Sequence, residues 1–88
     1  MEFMDSISEI TRLLRAARSL LGLSQEEFAG LAGVSRQIIA RMERGEDDIV
    51  AESIQRVRSA LEEQRIVFIP SEKGRGPGVA ERRPAKMT

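Results

Sequence analysis

Apolar residues return every three or four positions along most of the chain, in stretches separated by short polar breaks that carry glycine. Ile7, Ile10, Leu14, Ala17 and Leu21 keep helical spacing, and Leu13 and Leu20 widen their stripe. Ser6-Ile7-Ser8-Glu9 has the form of a capping box. The first helix is therefore expected over about 7–21, capped by Ser6 and stopped at Gly22. Ser24-Gln25-Glu26-Glu27 repeats the capping form and opens a second helix that ends near Ala32. Ser35 caps a third, about 36–44, with Gly45 as its C′ residue. Val50, Ile54, Val57 and Leu61 form one face of a fourth, with Arg56, Arg58, Glu62 and Glu63 largely outside. Asp48 is its nearest capping residue, because Val50 offers no side-chain oxygen.

Beyond Gln64 the period changes. Ile66-Val67-Phe68-Ile69 is β-branched and aromatic, a short strand closed by Pro70. Residues 71–78 are turn-like, and 79–83 form either a returning strand or plain tail. The fold class expected is mainly all-α: four to five helices in a compact domain, with a short C-terminal β-strand or hairpin. The chain divides into an N-terminal arm (1–5), a helical domain (6–64), a short strand (65–70) and a Gly/Pro-rich basic tail (71–88).

The stretch from Gln25 to Arg44 is the most informative. Phe28, Ala32, Val34, Ile39 and Met42 would face a crossing of two short helices, Ala29 would allow close approach, and Gly33 would turn the corner. Ser35, Arg36, Gln37, Arg41 and Arg44 are left pointing outward. An ordinary helical hairpin is the competing reading. Two capping signals around a glycine-containing turn favour the steep crossing, and the outward residues suit a DNA groove. Arginine pairs with guanine O6/N7 and glutamine with adenine N6/N7, and the first turn of such a helix enters the major groove first.

Composition narrows the function by removal. The 88 residues contain no cysteine and no histidine, hence no thiolate or imidazole metal site and no histidine base. Neither a Gly-rich phosphate loop nor spaced metal ligands occur, so no catalytic residue, metal or cofactor is assigned and an enzyme is not expected. Trp and Tyr are absent, which disfavours base-stacking RNA recognition. Formal charge is zero. Arg36, Arg41 and Arg44 outnumber Glu43 on the third helix, giving a locally positive face on a neutral body, although Glu46-Asp47-Asp48 follows at once. No apolar run could span a bilayer, and MEFMDS lacks a signal peptide's basic start; a cytoplasmic protein is expected.

Arg18, Gly22-Leu23-Ser24-Gln25-Glu26-Glu27-Phe28-Ala29, Gly33-Val34-Ser35 and Met42-Glu43-Arg44-Gly45 together resemble the Cro/phage-repressor helix-turn-helix family, also called the XRE family. The resemblance covers about 7–61. It implies a DNA-binding regulator in which Gln25 contacts a phosphate while Arg36, Gln37 and Arg41 read or flank bases. It also implies that Glu43 pairs with Arg18 to staple the third helix to the first. This chain departs from the pattern in its acidic loop, Glu46 to Asp48, and in Val50 at the opening of the fourth helix.

The segment Val67-Phe68-Ile69-Pro70 with Gly76-Pro77-Gly78-Val79 resembles the tail of small bacterial regulators of that family, departing at Ala80-Glu81. A solitary apolar strand has unpaired edges, so Ile66, Val67, Phe68 and Ile69 are expected to form a homodimer contact; packing on the chain's own helices is the alternative. Lys73, Arg75, Arg82, Arg83 and Lys86 make the tail basic, suited to phosphates or to plain solubility. The expected partner is a double-stranded operator read by a homodimeric repressor. The rival is an antitoxin or anti-activator that acts mainly on a toxin or activator protein, favoured by the neutral charge and acidic loop.

Overall fold

The computed structural model describes the backbone of residues 2–83 and the side-chain surroundings of residues 10–83. The placement of Ile7 on the core stripe and of Lys86 in the tail lies outside these described residues. Four helices are followed by a hairpin: α1 (Glu2–Leu21), α2 (Gln25–Ala32), α3 (Arg36–Glu43), α4 (Ala51–Glu63), β1 (Ile66–Ile69) and β2 (Gly78–Glu81).

Local chemistry sets the boundaries of the two central helices. At α2 the capping box is complete: the Glu27 N–H donates to Ser24 Oγ at 3.0 Å, and the Ser24 N–H donates to Glu27 Oε1 at 2.8 Å. At α3 the Ile38 N–H donates to Ser35 Oγ at 3.2 Å. Gly22, Gly33 and Gly45 stop the first three helices with φ near +70 to +80°, a conformation that costs an L side chain.

One core joins all four helices. Leu14, Phe28, Ile39, Met42, Val57 and Leu61 are its largest fully buried side chains. Each such burial stabilises by roughly 1.5–3 kcal/mol, and the small Ala17, Ala29, Ala32 and Ala60 let the helices approach closely. β1 runs along α4 and β2 along α1, with Ile66 buried and Phe68 and Val79 packed against the core.

Five expectations need correction. The first helix begins at Glu2, not after Ser6, because residues 2–5 contain no helix breaker and the helix runs straight through the capping signal. Leu20 does not widen the stripe; it is half exposed. Val50 is the N-cap residue of α4, with extended backbone, 62% exposure and no capping side chain. Ile49 is buried in its place, so Ile49 and Ile54 hold the N′ and N4 positions of a hydrophobic staple. Asp48 does not cap α4 because its carboxylate is bonded to Arg41 instead. Finally, β1 is not solitary: it pairs antiparallel with β2, Ile66 opposite Glu81 through Ile69 opposite Gly78.

Candidate nucleic-acid interface

The corner between α2 and α3 decides which side chains of α3 face outward. Gly33 turns the chain at φ +74°, with its N–H bonded to the Ala29 carbonyl at 2.9 Å. A Cβ there would stand 3.2 Å from Arg56 Nη1, the tip of an exposed and flexible side chain that can give way, so it is the positive φ that favours glycine. With the corner fixed, Ile39 and Met42 point into the core beside Phe28 and Ala32, and Val34 packs partly against them. Ser35, Arg36 and Gln37 are exposed at the opposite face of the first turn. That turn contains no acidic residue, so its free N–H groups and Arg36 present an undiluted positive end.

The base of α3 is anchored by Glu43, whose side chain is only 1% exposed. Arg18 grips it with a planar fork, Nε to Oε2 at 2.7 Å and Nη2 to Oε1 at 3.0 Å. Arg18 Nη1 also donates to the Leu23 carbonyl at 2.8 Å, tying the α1–α2 turn to the same point. Gln25 Nε2 donates to Glu43 Oε1 at 3.0 Å, and exposed Arg15 lies 3.6 Å from that oxygen. Burial pushes the Glu43 carboxyl up, but the hydrogen bonds from Arg18 and Gln25 and the charges of Arg18 and Arg15 outweigh it, leaving the group below the ordinary glutamate range. The bond to Glu43 likewise raises the Arg18 guanidinium. The expected staple between α3 and α1 is present, and it carries two members beyond the expected pair, Gln25 and Arg15. Gln25 Oε1 accepts from Arg36 Nη1 at 3.4 Å, so the chain of contacts runs from part-buried Arg18 to the exposed first turn of α3.

The far end of α3 is different. Arg41 Nε donates to Glu46 Oε1 at 2.7 Å, and Arg41 Nη2 bonds Asp48. Arg44 donates to Glu46 Oε2 through Nε at 3.1 Å and Nη2 at 2.9 Å. These bonds lower the Glu46 carboxyl and raise the Arg41 guanidinium. Arg41 and Arg44 therefore lie near the outer face but are neutralised by the loop that follows, and the positive face expected from charge counting contracts to the first turn. Sequence reasoning missed this link. The available signal was Arg41-Met42-Glu43-Arg44-Gly45-Glu46-Asp47-Asp48, in which a C′ glycine folds the acidic run back over the basic last turn.

The described residues hold no group of three or more acidic or metal-ligating side chains that could bind a metal ion, and no described helix is long and apolar enough to cross a membrane. No curated protein and no solved structure shows significant similarity to the chain. The family model described as helix-turn-helix matches residues 14–64, more than half of the chain, including the Ser24 and Ser35 caps, the Gly33 corner and the Glu43 anchor. The chain belongs to the helix-turn-helix family of Cro/C1 (XRE) type, whose members are DNA-binding transcription regulators.

Proposed function

We propose that the protein is a homodimeric repressor that reads a palindromic operator, with each α3 lying in a major groove. The observation that carries this reading is the exposed Ser35-Arg36-Gln37 turn, held outward by the buried Glu43 anchor on the other side of the same helix. Arg36 and Gln37 are the base-reading pair. Ser35 and Gln25 flank them toward the phosphates, and Arg41 and Arg44 reach the duplex only on leaving their carboxylates. Dimer contact is proposed through β1. Ile66 is committed to the chain's own core, so Val67 and Ile69, half-buried, supply the contact, with Phe68 supporting from the core side. β1 is bonded to β2 along one edge, which leaves its other edge for a second copy. A two-fold dimer of this kind places half-sites about one helical turn, ~34 Å, apart.

Selection of bound sequences from random duplexes tests the proposal. A palindromic consensus is expected, and Arg36→Ala or Gln37→Ala should each cost ~1–3 kcal/mol and relax preference at one position per half-site. Undiminished operator affinity in both variants would remove the base-reading assignment. A second reading is favoured by the neutralised Arg41 and Arg44: a regulator that acts mainly on another protein, as an antitoxin or anti-activator does. It gains if no consensus emerges and a toxin or activator co-purifies.

A further inference from the structure

Away from α3, three arginines converge where the open end of the hairpin meets α4. Arg58, Glu62, Arg65, Phe68 and Arg82 line a cleft of about 360 Å³ there. The Arg82 N–H donates to the Arg65 carbonyl at 2.7 Å, one step beyond the Ile66–Glu81 pair. This sets two arginines opposite each other at the end of a ladder, where like charges oppose pairing. Arg65 also holds φ +72°, the only non-glycine residue with positive φ among the described residues. It follows Gln64, the C-cap of α4, at a position that glycine fills without a Cβ penalty. Arg58 is satisfied, pairing with Glu62 at 3.2 Å and lying 5.4 Å from the centre of the Phe68 ring. The Arg65 and Arg82 side chains make no hydrogen bond or ion pair among the described residues.

Two local costs thus fall at one cleft that holds three guanidinium groups against a single carboxylate. One event offsets the like-charge repulsion and gives the Arg65 conformation a use: the arrival of an anion between Arg65 and Arg82. The geometry points to a binding site for a small phosphorylated molecule in this cleft, its phosphoryl group held by Arg65 and Arg82 and its remainder against Phe68. The excess of two positive charges matches a phosphoryl dianion, and the guanidinium fork matches its oxygens. We assign the anion to a free phosphorylated molecule and not to operator phosphate, because the cleft is lined by α4, the hairpin and its flanks and by no residue of α3. The hairpin lies along α1 and α4, whereas α3 is packed by α1 and α2. β1, the strand proposed for dimer contact, lines the cleft through Ile66, Val67 and Phe68, but the arginine site does not rest on that proposal.

The test is titration of the full chain with inorganic pyrophosphate at fixed ionic strength, read by calorimetry and by melting temperature. Pyrophosphate should raise the melting temperature where chloride at equal ionic strength does not. Arg65→Gly and Arg82→Gln should each weaken the pyrophosphate Kd at least about tenfold, the loss of a charge-assisted bond. Arg65→Gly should do so without lowering the unliganded melting temperature, since glycine accepts the positive φ. Arg36→Gln should leave pyrophosphate binding intact. No response in the parent, an unchanged Kd in both cleft variants, or loss of binding in Arg36→Gln each overturns the site. So does weakened duplex binding by the cleft variants without a pyrophosphate effect, which would give the cleft to DNA.

Discussion

Arginine meets carboxylate at two places on α3, and the two centres are built from the same chemistry in opposite surroundings. At the anchor, Glu43 is almost wholly enclosed and Arg18 only 17% exposed, with Gln25 completing the carboxylate's bonds. At the loop, Arg41 and Glu46 are each about a third exposed, while Asp48 is largely in water. Distances do not separate them, since both contain a 2.7 Å N–O contact. Solvent does. An enclosed carboxylate that loses its partner is left with an unpaid desolvation cost, whereas an exposed one is rehydrated and its pairing is screened by salt. The anchor therefore governs whether α3 stands in place, and the loop governs how much of its charge is available.

The largest effect expected from this contrast is at the anchor. Arg18→Ala should destabilise by ~3–5 kcal/mol, the cost of stranding a buried charge, and so lower the melting temperature by more than about 10 °C. Glu46→Gln should move it by less than about 2 °C. Equal shifts in the two variants would falsify the distinction.

Acid provides the next test. The Glu43 carboxyl is depressed in the folded state, so its contribution is complete above the unfolded value of about pH 4.3 and is lost as pH falls through the lower folded value. Denaturant midpoints should therefore drop steeply below about pH 4. Glu43→Gln should flatten that limb while Glu46→Gln leaves it steep, because the lowered Glu46 group belongs to a screened pair.

The same contrast explains what could be read in the sequence. Ser24 with Glu27, Ser35 before Ile38, and Gly33 and Gly45 act on neighbours within a few residues, so their spacing is itself the signal. The α2–α3 corner and its outward turn follow from them directly. The Arg18–Glu43 pair spans 25 residues and came only with the family resemblance. The Gln25 bridge spans 18 and was legible in neither way, since a glutamine at the start of a helix points equally well to a phosphate. The hairpin was half legible: β1 carries its own β-propensity, whereas β2 is a strand chiefly because β1 and α1 lie beside it. Asp48 misled because sequence distance favoured α4, while the Gly45 reversal brought Arg41 nearer.

Releasing the loop has a smaller effect, seen in binding rather than stability. Glu46→Gln with Asp48→Asn frees Arg41 and Arg44 from their carboxylates. Affinity for a random duplex should rise, and the dependence of log K on log salt should steepen by about 0.9 for each phosphate newly neutralised. Fluorescence anisotropy across a salt series checks this. An unchanged slope would mean that these arginines face away from the duplex, leaving Arg36 and Gln37 as the whole readout of α3.

The smallest effect concerns the residue that the loop leaves without help. α4 begins at Val50 with no capping side chain, and its first N–H groups lack the acceptor that Asp48 gives to Arg41 instead. Val50 already has the extended backbone of an N-cap, and its side chain is mostly in water. A hydroxyl at that position would meet the orphan donors without disturbing the core, because Ile49 supplies the apolar contact. Val50→Ser should therefore stabilise by ~0.5–1 kcal/mol in thermal or urea unfolding. The gain should persist in an Asp48→Asn background, since Asp48 contributes nothing to the cap. If Asp48→Asn alone destabilised α4 and abolished the benefit of Val50→Ser, Asp48 would be shared between helix and arginine. The loop would then be a structural anchor like Glu43, and the contrast between the two centres would fail.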